Sequence, residues 1–139
     1  MAGARRSDQE APHRLILDSG AVIGLARGDQ RARAFLARAL DMDASIEIPV
    51  VVVAETIRGD PRDAPIHRIL KAVGSVPEAR ESHGRTAGRL LGAARSASTI
   101  DALVVAHAVE AGGGQILTGD PDDLAPLAAP HPEVWIQAL

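Results

Sequence analysis

Four acidic residues occupy positions from which their carboxylates could converge: Asp18, Glu55, Asp101 and Asp120. Glu55 lies within the most apolar run of the chain, residues 50–57, where a carboxylate is rarely buried unless it is paired or binds a metal. Carboxylates that are drawn together repel one another, and without cations some of them take up protons. Mg²⁺ prefers oxygen ligands and Mn²⁺ accepts similar ones, so this pattern predicts a Mg²⁺ or Mn²⁺ site.

The residue types of the chain disfavour zinc chemistry. There is no cysteine, and the five histidines are scattered. Only His107 lies in a predicted helix that carries one of the acids, and it follows Asp101 by six positions, so the two side chains project from different faces. We therefore expect His107 in the core or at the surface rather than as a metal ligand.

Strands that alternate with helices predict an α/β domain with a parallel sheet covered on both faces. The predicted strands are 14–17, 46–48, a short one near 76, 115–118 and 134–136, and the predicted helices are 19–27, 30–40, 50–58, 61–73, 82–95, 99–110 and 122–129. Asp18 directly follows the first strand, and Asp120 lies two residues beyond Thr118, where a later strand ends. Ligands bind beyond the carboxyl ends of the strands in such sheets, so both acids lie where a site is expected.

The segment that carries Glu55 contains conflicting signals. Four consecutive valines, 50–53, favour a strand by propensity. Pro49 suits the start of a helix, and Arg58-Gly59 suits its end. We predict a helix from about Val50 to Arg58, against the local propensity.

Helix capping is the alternative role for three of the four acids. Asp18 precedes a helix, Ser98-Thr99-Ile100-Asp101 resembles a capping box, and Gly119-Asp120-Pro121 has an N-cap residue followed by proline. The last pattern recurs at Gly59-Asp60-Pro61, where no strand precedes it, and we expect Asp60 to serve as a cap only. Capping and metal binding are compatible, because the helix dipole favours a carboxylate at the N-terminus of a helix.

Composition limits the class of protein. The 139 residues predict one domain, 14–139, preceded by a flexible polar tail, 1–13. Hydrophobic residues make up 46% of the chain and aromatic residues 1%, so the core must consist of Leu, Ile, Val and Ala. The lack of cysteine excludes a disulfide framework and fits a reducing, cytoplasmic location, and no apolar run approaches the roughly 18 residues of a membrane span. A net charge of -3 does not predict a nucleic-acid binder overall, although basic residues can cluster locally.

Four short motifs follow one another in the order Leu17-Asp18-Ser19, Val53-Ala54-Glu55-Thr56-Ile57-Arg58-Gly59, Ile100-Asp101-Ala102-Leu103-Val104-Val105-Ala106 and Ile116-Leu117-Thr118-Gly119-Asp120. Over residues 14–139 the chain resembles a PIN domain, and within that family the VapC-type toxins of bacterial toxin–antitoxin modules. The resemblance implies a three-layer α/β fold with a central, mainly parallel, twisted sheet flanked by helices. It also implies metal-site acids at Asp18, Glu55, Asp101 and Asp120, support from Thr118, and a further acid at Asp122 or Asp123.

The resemblance and the expected metal site together predict a metal-dependent endoribonuclease that hydrolyses single-stranded or looped RNA. One or two ions can activate a water, orient a phosphodiester and stabilise the leaving oxygen. Asp18, Asp101 and Asp120 are the expected inner ligands, and Glu55 is expected to bind a metal directly or through water. Candidates for phosphate contacts are four basic residues near the ends of the bordering elements, Arg27, Arg31, Arg58 and Arg62. A solvated helix face is the alternative for each arginine, and the two aromatic residues are too few for base stacking to be a main source of affinity.

Toxins of this family pair with an antitoxin whose tail covers the site, so the resemblance implies an antitoxin partner, and dimerisation is a further expectation. A catalytically inactive PIN scaffold would keep the antitoxin interface and lose metal binding. The apolar segments 22–25 and 66–73 could form a dimer interface or belong to the core. A phospho-acceptor role for Asp18 is disfavoured, because Gly20 occupies the place of the second acid and the only lysine, Lys71, lies in the middle of a helix.

Overall fold

The structure, a computed structural model, describes residues 13–139, so the predicted tail lies outside the described residues apart from His13. Its centre is a sheet of four parallel strands in the spatial order β2-β1-β3-β4. The strands are β1 (Arg14–Leu17), β2 (Ser45–Glu47), β3 (Gly114–Thr118) and β4 (Val134–Ala138). The predicted parallel α/β architecture is confirmed.

Seven α-helices and one 3₁₀ turn connect the strands within residues 13–139. They are α1 (Ser19–Ala26), α2 (Gln30–Asp41), α3 (Val50–Thr56), the 3₁₀ turn (Pro61–Asp63), α4 (Ala64–Ala72), α5 (Glu81–Ala94), α6 (Thr99–Glu110) and α7 (Pro121–Ala128). None of these helices is long and apolar enough to cross a membrane.

The valine-rich segment is helical, as the flanking residues predict. Helix α3 begins directly after Pro49, and its buried residues Val52 and Thr56 lie one turn apart on the same face. The Thr56 hydroxyl also donates to the Val52 carbonyl at 2.9 Å. Burial of this face outweighs the strand propensity of the valines. The helix ends two residues before the predicted end, because Ile57 is extended (φ -97°, ψ 132°).

The short strand predicted near residue 76 is reduced to a single bridge between Ser75 and Glu47. The Ser75 backbone N–H donates to the Ile46 carbonyl at 3.0 Å, and the Ser75 carbonyl accepts the Ile48 N–H at 2.9 Å. Val76 is 40% exposed, and the proline that follows it has no N–H with which to extend the ladder. The strand prediction was therefore wrong beyond this one residue.

The two central strands are covered on both faces. Their apolar residues are fully buried, namely Leu15, Ile16, Leu17, Ile116 and Leu117. Helix α1 packs against α2, α3 and α4, whereas α6 packs against α5 and α7, which gives a three-layer fold. Val22, Leu25 and Ile66 belong to this core, so the apolar segments 22–25 and 66–73 both contribute to it.

The order in which the chain adds strands to the sheet changes direction after β2. After β1 the chain moves outward to β2, and it then returns to place β3 on the other side of β1. Such a switch point leaves a crevice at the carboxyl ends of the two strands. The strand ends approach closely there, because a Cβ on Gly20 would lie only 2.9 Å from the Gly119 nitrogen. Asp18 and Asp120 flank this crevice.

Candidate active site

Asp18 is held rigidly at the carboxyl end of β1. It is 4% exposed, and one carboxylate oxygen accepts the backbone N–H of Ser19 at 2.8 Å, which caps α1. The other oxygen accepts the Thr118 hydroxyl at 2.9 Å. That hydroxyl in turn accepts the backbone N–H of Asp120 at 2.9 Å. One buried threonine therefore ties the acid that follows β1 to the acid that follows β3.

The surroundings of Asp18 disfavour its negative charge. Burial raises its pKa above the ordinary value of 3.8, and the charge of Asp120 acts in the same direction. The hydrogen bonds from Ser19 and Thr118 offset only part of this effect. A buried carboxylate in this condition gains stability from a nearby cation.

Asp101 is the residue around which the other acids gather. It lies in the first turn of α6 and is half-buried. Burial and then repulsion from other carboxylates raise its pKa from 3.8 to about 6, and the repelling groups are those of Asp18, Asp123, Glu55 and Asp120. Coulombic repulsion falls with distance, so all four carboxylates lie near enough to Asp101 to disfavour its charge.

Glu55 lies in the last turn of α3 and is half-buried. Burial is the largest cause of its raised pKa, followed by the negative charge of Asp18. Ser19 and the positive charge of Arg58 act in the opposite direction. The helix predicted for the valine-rich segment therefore delivers Glu55 to the end of β1.

The side chains of Asp101 and Asp120 are not used as helix caps. Ser98 and Asp120 occupy the N-cap positions of α6 and α7, but neither makes a side-chain capping bond. The capping box suggested for Ser98 to Asp101 is absent from this part of the chain. Asp60, by contrast, accepts the Arg62 backbone N–H at 2.7 Å, as expected for a cap. Asp18 therefore caps a helix, as the capping alternative predicts. Asp101 and Asp120 make no such capping bond through their side chains.

The first turn of α7 contains the two candidates for a further acid, and they differ in their relation to the site. Both Asp122 and Asp123 are exposed. Asp123 is among the main causes of the raised pKa of Asp101. We therefore group Asp123 with the four acids, and we define the acid cluster as Asp18, Glu55, Asp101, Asp120 and Asp123.

The four arginines proposed to bind phosphate occupy different environments. Arg58 is exposed and close enough to Glu55 to lower its pKa. Arg62 pairs with Asp60 at 3.3 Å, and the guanidinium of Arg31 lies 5.5 Å from the centre of the Phe35 ring. Arg27 is exposed at the end of α1. Arg58 is therefore coupled to the acid cluster through Glu55.

The donors of the acid cluster fit a hard divalent cation. They are all carboxylate oxygens, the ligand type that Mg²⁺ and Mn²⁺ take. Burial and the neighbouring acids raise the pKa of Asp18, Glu55 and Asp101, so a nearby cation would favour their charged forms. Within residues 13–139, no three acidic or histidine side chains lie close enough to form a complete ligand group on their own. This open arrangement suits Mg²⁺, which keeps several of its own waters when it binds to one or two carboxylates.

His107 lies in the core, as one of the two alternatives predicted. It is 7% exposed, and its Nε2 lies 2.7 Å from a carboxylate oxygen of Glu47. The other oxygen of Glu47 accepts from Arg14 at 2.7 Å and from Ser45 at 2.9 Å. Sequence reasoning missed this network, and the one available signal was a charged residue between Ile46 and Ile48 in a buried strand.

Comparison with known proteins agrees with this architecture. The family model for the PIN domain matches residues 15–129. A solved structure of VapBC2 from Rickettsia felis, bound to a DNA fragment from its promoter, superposes with a TM-score of 0.69 at 12% sequence identity, covering 90% of this chain and 98% of the other. No curated protein matches the chain in sequence. At this identity the structural likeness supports the fold alone, and the family model covers most of the chain. The chain therefore belongs to the PIN domain family.

Proposed function

We propose that this protein is a metal-dependent endoribonuclease of the VapC type and the toxin of a toxin–antitoxin pair. The observation that carries the proposal is the gathering of four acids around Asp101 at the switch point of the sheet. Membership of the PIN domain family supports a nuclease, and the structural neighbour is itself a VapBC2 complex.

The acids of the cluster have distinct roles in this proposal. Asp18, Asp101 and Asp120 would draw together around Mg²⁺ or Mn²⁺ as inner ligands, and Glu55 would bind the ion directly or through a water. A bound ion supplies an activated water and neutralises the charge that develops during phosphodiester hydrolysis. Asp123 adds negative charge beside Asp101, which raises the affinity of the site for a cation.

Thr118 and the burial of Asp18 prepare the site before any ligand arrives. The Thr118 hydroxyl accepts from the Asp120 backbone, so its proton is directed to Asp18. This leaves one oxygen of Asp18 bound by Thr118 and the other by the backbone of Ser19, and it restricts the carboxylate to one orientation. When the ligands are already held in place, less free energy is needed to reorganise them when the ion binds.

Arg58 is the arginine that we retain as the main phosphate contact, because it is exposed and next to Glu55. Arg27 stays a candidate at the end of α1. Arg31 and Arg62 are weaker candidates, since the guanidinium of Arg31 lies over the Phe35 ring and Arg62 is paired with the carboxylate of Asp60. We further propose an antitoxin partner, a homodimer and a cytoplasmic location, all of which follow from the VapC resemblance.

The alternative of an inactive scaffold loses its main support. That alternative required the acids to act only as caps, and neither Asp101 nor Asp120 caps a helix through its side chain. The burial of Asp18 with a raised pKa is also costly for a scaffold that binds no cation.

The test is cleavage of single-stranded RNA with Mg²⁺ or Mn²⁺ by the wild type, Asp101→Asn and Asp122→Asn. We expect the wild type and Asp122→Asn to cut, EDTA to stop both, and Asp101→Asn to fold but not cut. Equal cutting by wild type and Asp101→Asn would assign the activity to a contaminant or another site. A folded wild type that neither cuts RNA nor binds Mn²⁺ in calorimetry would overturn the proposal in favour of the scaffold.

A further inference from the structure

Asp63 is a buried carboxylate outside the acid cluster. It is 5% exposed and ends the 3₁₀ turn between α3 and α4. One of its oxygens accepts three backbone N–H groups, from Arg58 at 2.9 Å, Gly59 at 2.7 Å and Asp60 at 3.3 Å. Within residues 13–139 it forms no ion pair, so these three bonds are what compensates its burial.

These bonds do more than close the capping box of the 3₁₀ turn. The capping box needs only the contact with the Asp60 backbone, which is the longest of the three. The two shorter bonds reach back to Arg58 and Gly59, the residues that follow α3. Gly59 has a left-handed backbone (φ 85°), which turns these N–H groups towards a common acceptor.

The same loop is attached to the last turn of α3 through the Arg58 side chain. Its guanidinium donates to the carbonyls of Ala54 and Ile57, both at 3.0 Å. A cation at this position satisfies free carbonyls at the end of a helix and interacts favourably with its dipole. Ala54 is the neighbour of Glu55, so Asp63 holds the backbone of Arg58 while the Arg58 side chain holds the turn that carries Glu55.

We propose that Asp63 is a positioning residue, which acts through Arg58 to fix Glu55 against the acid cluster. The proposal rests on the proposed function, since it assigns Asp63 to the support of that metal site. Partners of metal ligands commonly contribute about 10-fold to 100-fold to metal affinity. We therefore expect loss of the Asp63 contact to weaken Mn²⁺ binding by about tenfold.

The test is a double-mutant cycle on the Mn²⁺ dissociation constant, with Asp63→Ala, which removes the acceptor oxygen, Arg58→Ala and the double variant. Asp60→Asn is the matched control, because it removes the same charge from the same loop but keeps the bonds of Asp63 to Arg58 and Gly59. We expect each single variant to weaken Mn²⁺ binding by about tenfold, the double variant to be no worse than either, and the control to bind as the wild type.

Arg58→Ala can either weaken or tighten Mn²⁺ binding, and the direction distinguishes a positioning role of Arg58 from the direct effect of its charge. Removal of a positive charge beside the site would by itself tighten cation binding. Weaker binding therefore reports a lost position, and tighter binding would overturn the proposal. Arg58 is exposed, so this variant tests the link even if Asp63→Ala does not fold.

Two further outcomes distinguish this proposal from the function on which it rests. If Asp63→Ala melts at a lower temperature but binds Mn²⁺ as the wild type does, Asp63 is only a structural cap and the proposed nuclease stands. If the wild type itself binds no Mn²⁺, both the metal site and the positioning role are refuted.

Discussion

Replacing Asp101 with Asn should have opposite effects on stability with and without a divalent cation. The raised pKa of Asp101 means that its negative charge destabilises the folded protein when no cation is present. Asn has nearly the same size and carries no charge, so it removes this repulsion. The same change removes a proposed ligand, so the variant should gain little from added Mn²⁺.

The magnitude follows from the pKa and the exposure of Asp101. A rise from 3.8 to about 6 corresponds to about 3 kcal/mol, because a tenfold change in an ionisation constant is about 1.4 kcal/mol. Asp101 is only half-buried, and screening by solvent reduces this repulsion to about 1 kcal/mol. The expected gain in melting temperature without metal is about 2–5 °C.

The stability difference between the wild type and Asp101→Asn should depend on pH in a direction set by the raised pKa of Asp101. Below pH 3.8 Asp101 is protonated in both the folded and the unfolded state, so its repulsion contributes nothing. The cost grows as the pH rises from 3.8 to about 6 and is complete above that. The advantage of Asp101→Asn in EDTA should therefore be full at about pH 8 and almost absent at about pH 4.

The assay is thermal unfolding of the wild type, Asp101→Asn and the control Asp122→Asn, in EDTA and in saturating Mn²⁺. A ligand at 100 times its dissociation constant stabilises the folded state by about 2.7 kcal/mol, enough to reverse the order of wild type and variant. Asp122→Asn should follow the wild type, since Asp122 is exposed and is not among the main causes of the raised pKa of Asp101. An Asp101→Asn protein that is less stable than the wild type in EDTA at pH 8, or that gains equally from Mn²⁺, would refute the reasoning.

Three further substitutions test how the fold supports the site. Thr118→Val should lower the free energy of unfolding by about 1–3 kcal/mol in urea titration, because it leaves a buried oxygen of Asp18 without its donor. Gly20→Ala should lower both stability and RNA cleavage, because its Cβ would collide with the backbone of the loop after β3. Glu47→Gln should cost about 1–3 kcal/mol at neutral pH, since it weakens the hydrogen bonds of the buried carboxylate with Arg14, Ser45 and His107. Burial raises the pKa of Glu47, but hydrogen bonds from His107 and its other donors hold it below 4.5, so its stabilising effect is lost as the pH falls below 4.5.

Each of these substitutions has a matched control. Thr118→Ser keeps the hydroxyl and should keep most of the stability. Gly88→Ala lies within α5 with no atom within 4 Å of the new Cβ, and it should stabilise the helix by about 0.5–1 kcal/mol. Glu78→Gln changes an exposed glutamate, and its free energy of unfolding should equal that of the wild type at neutral pH. If a control loses as much stability as its partner substitution, the contact named for that partner is not the cause.

The positions of the site acids along the chain were largely predictable from sequence. Asp18 and Asp120 each follow an apolar strand, and parallel strands bring their carboxyl ends to one edge of the sheet. The helix that carries Glu55 was predictable because Pro49 and Gly59 mark its limits, even though its valines favour a strand. These signals are local, and a single sequence contains them.

The remaining features depend on contacts between distant segments. The choice between Asp122 and Asp123 is set by the orientation of α7 relative to Asp101, which no local pattern encodes. The pair of Glu47 and His107 joins residues that are 60 positions apart. The failed strand near residue 76 shows the same limit, because a strand needs a partner with free backbone groups as well as a suitable residue.

The central claim is that the acid cluster holds a divalent cation, and direct titration tests it best. Mn²⁺ is added to the wild type, Asp101→Asn and Asp122→Asn in a calorimeter at about pH 8, above the pKa of Asp101. The account predicts saturable binding by the wild type and Asp122→Asn, and binding at least about tenfold weaker by Asp101→Asn. Equal binding by all three proteins, or none by a folded wild type, would contradict it.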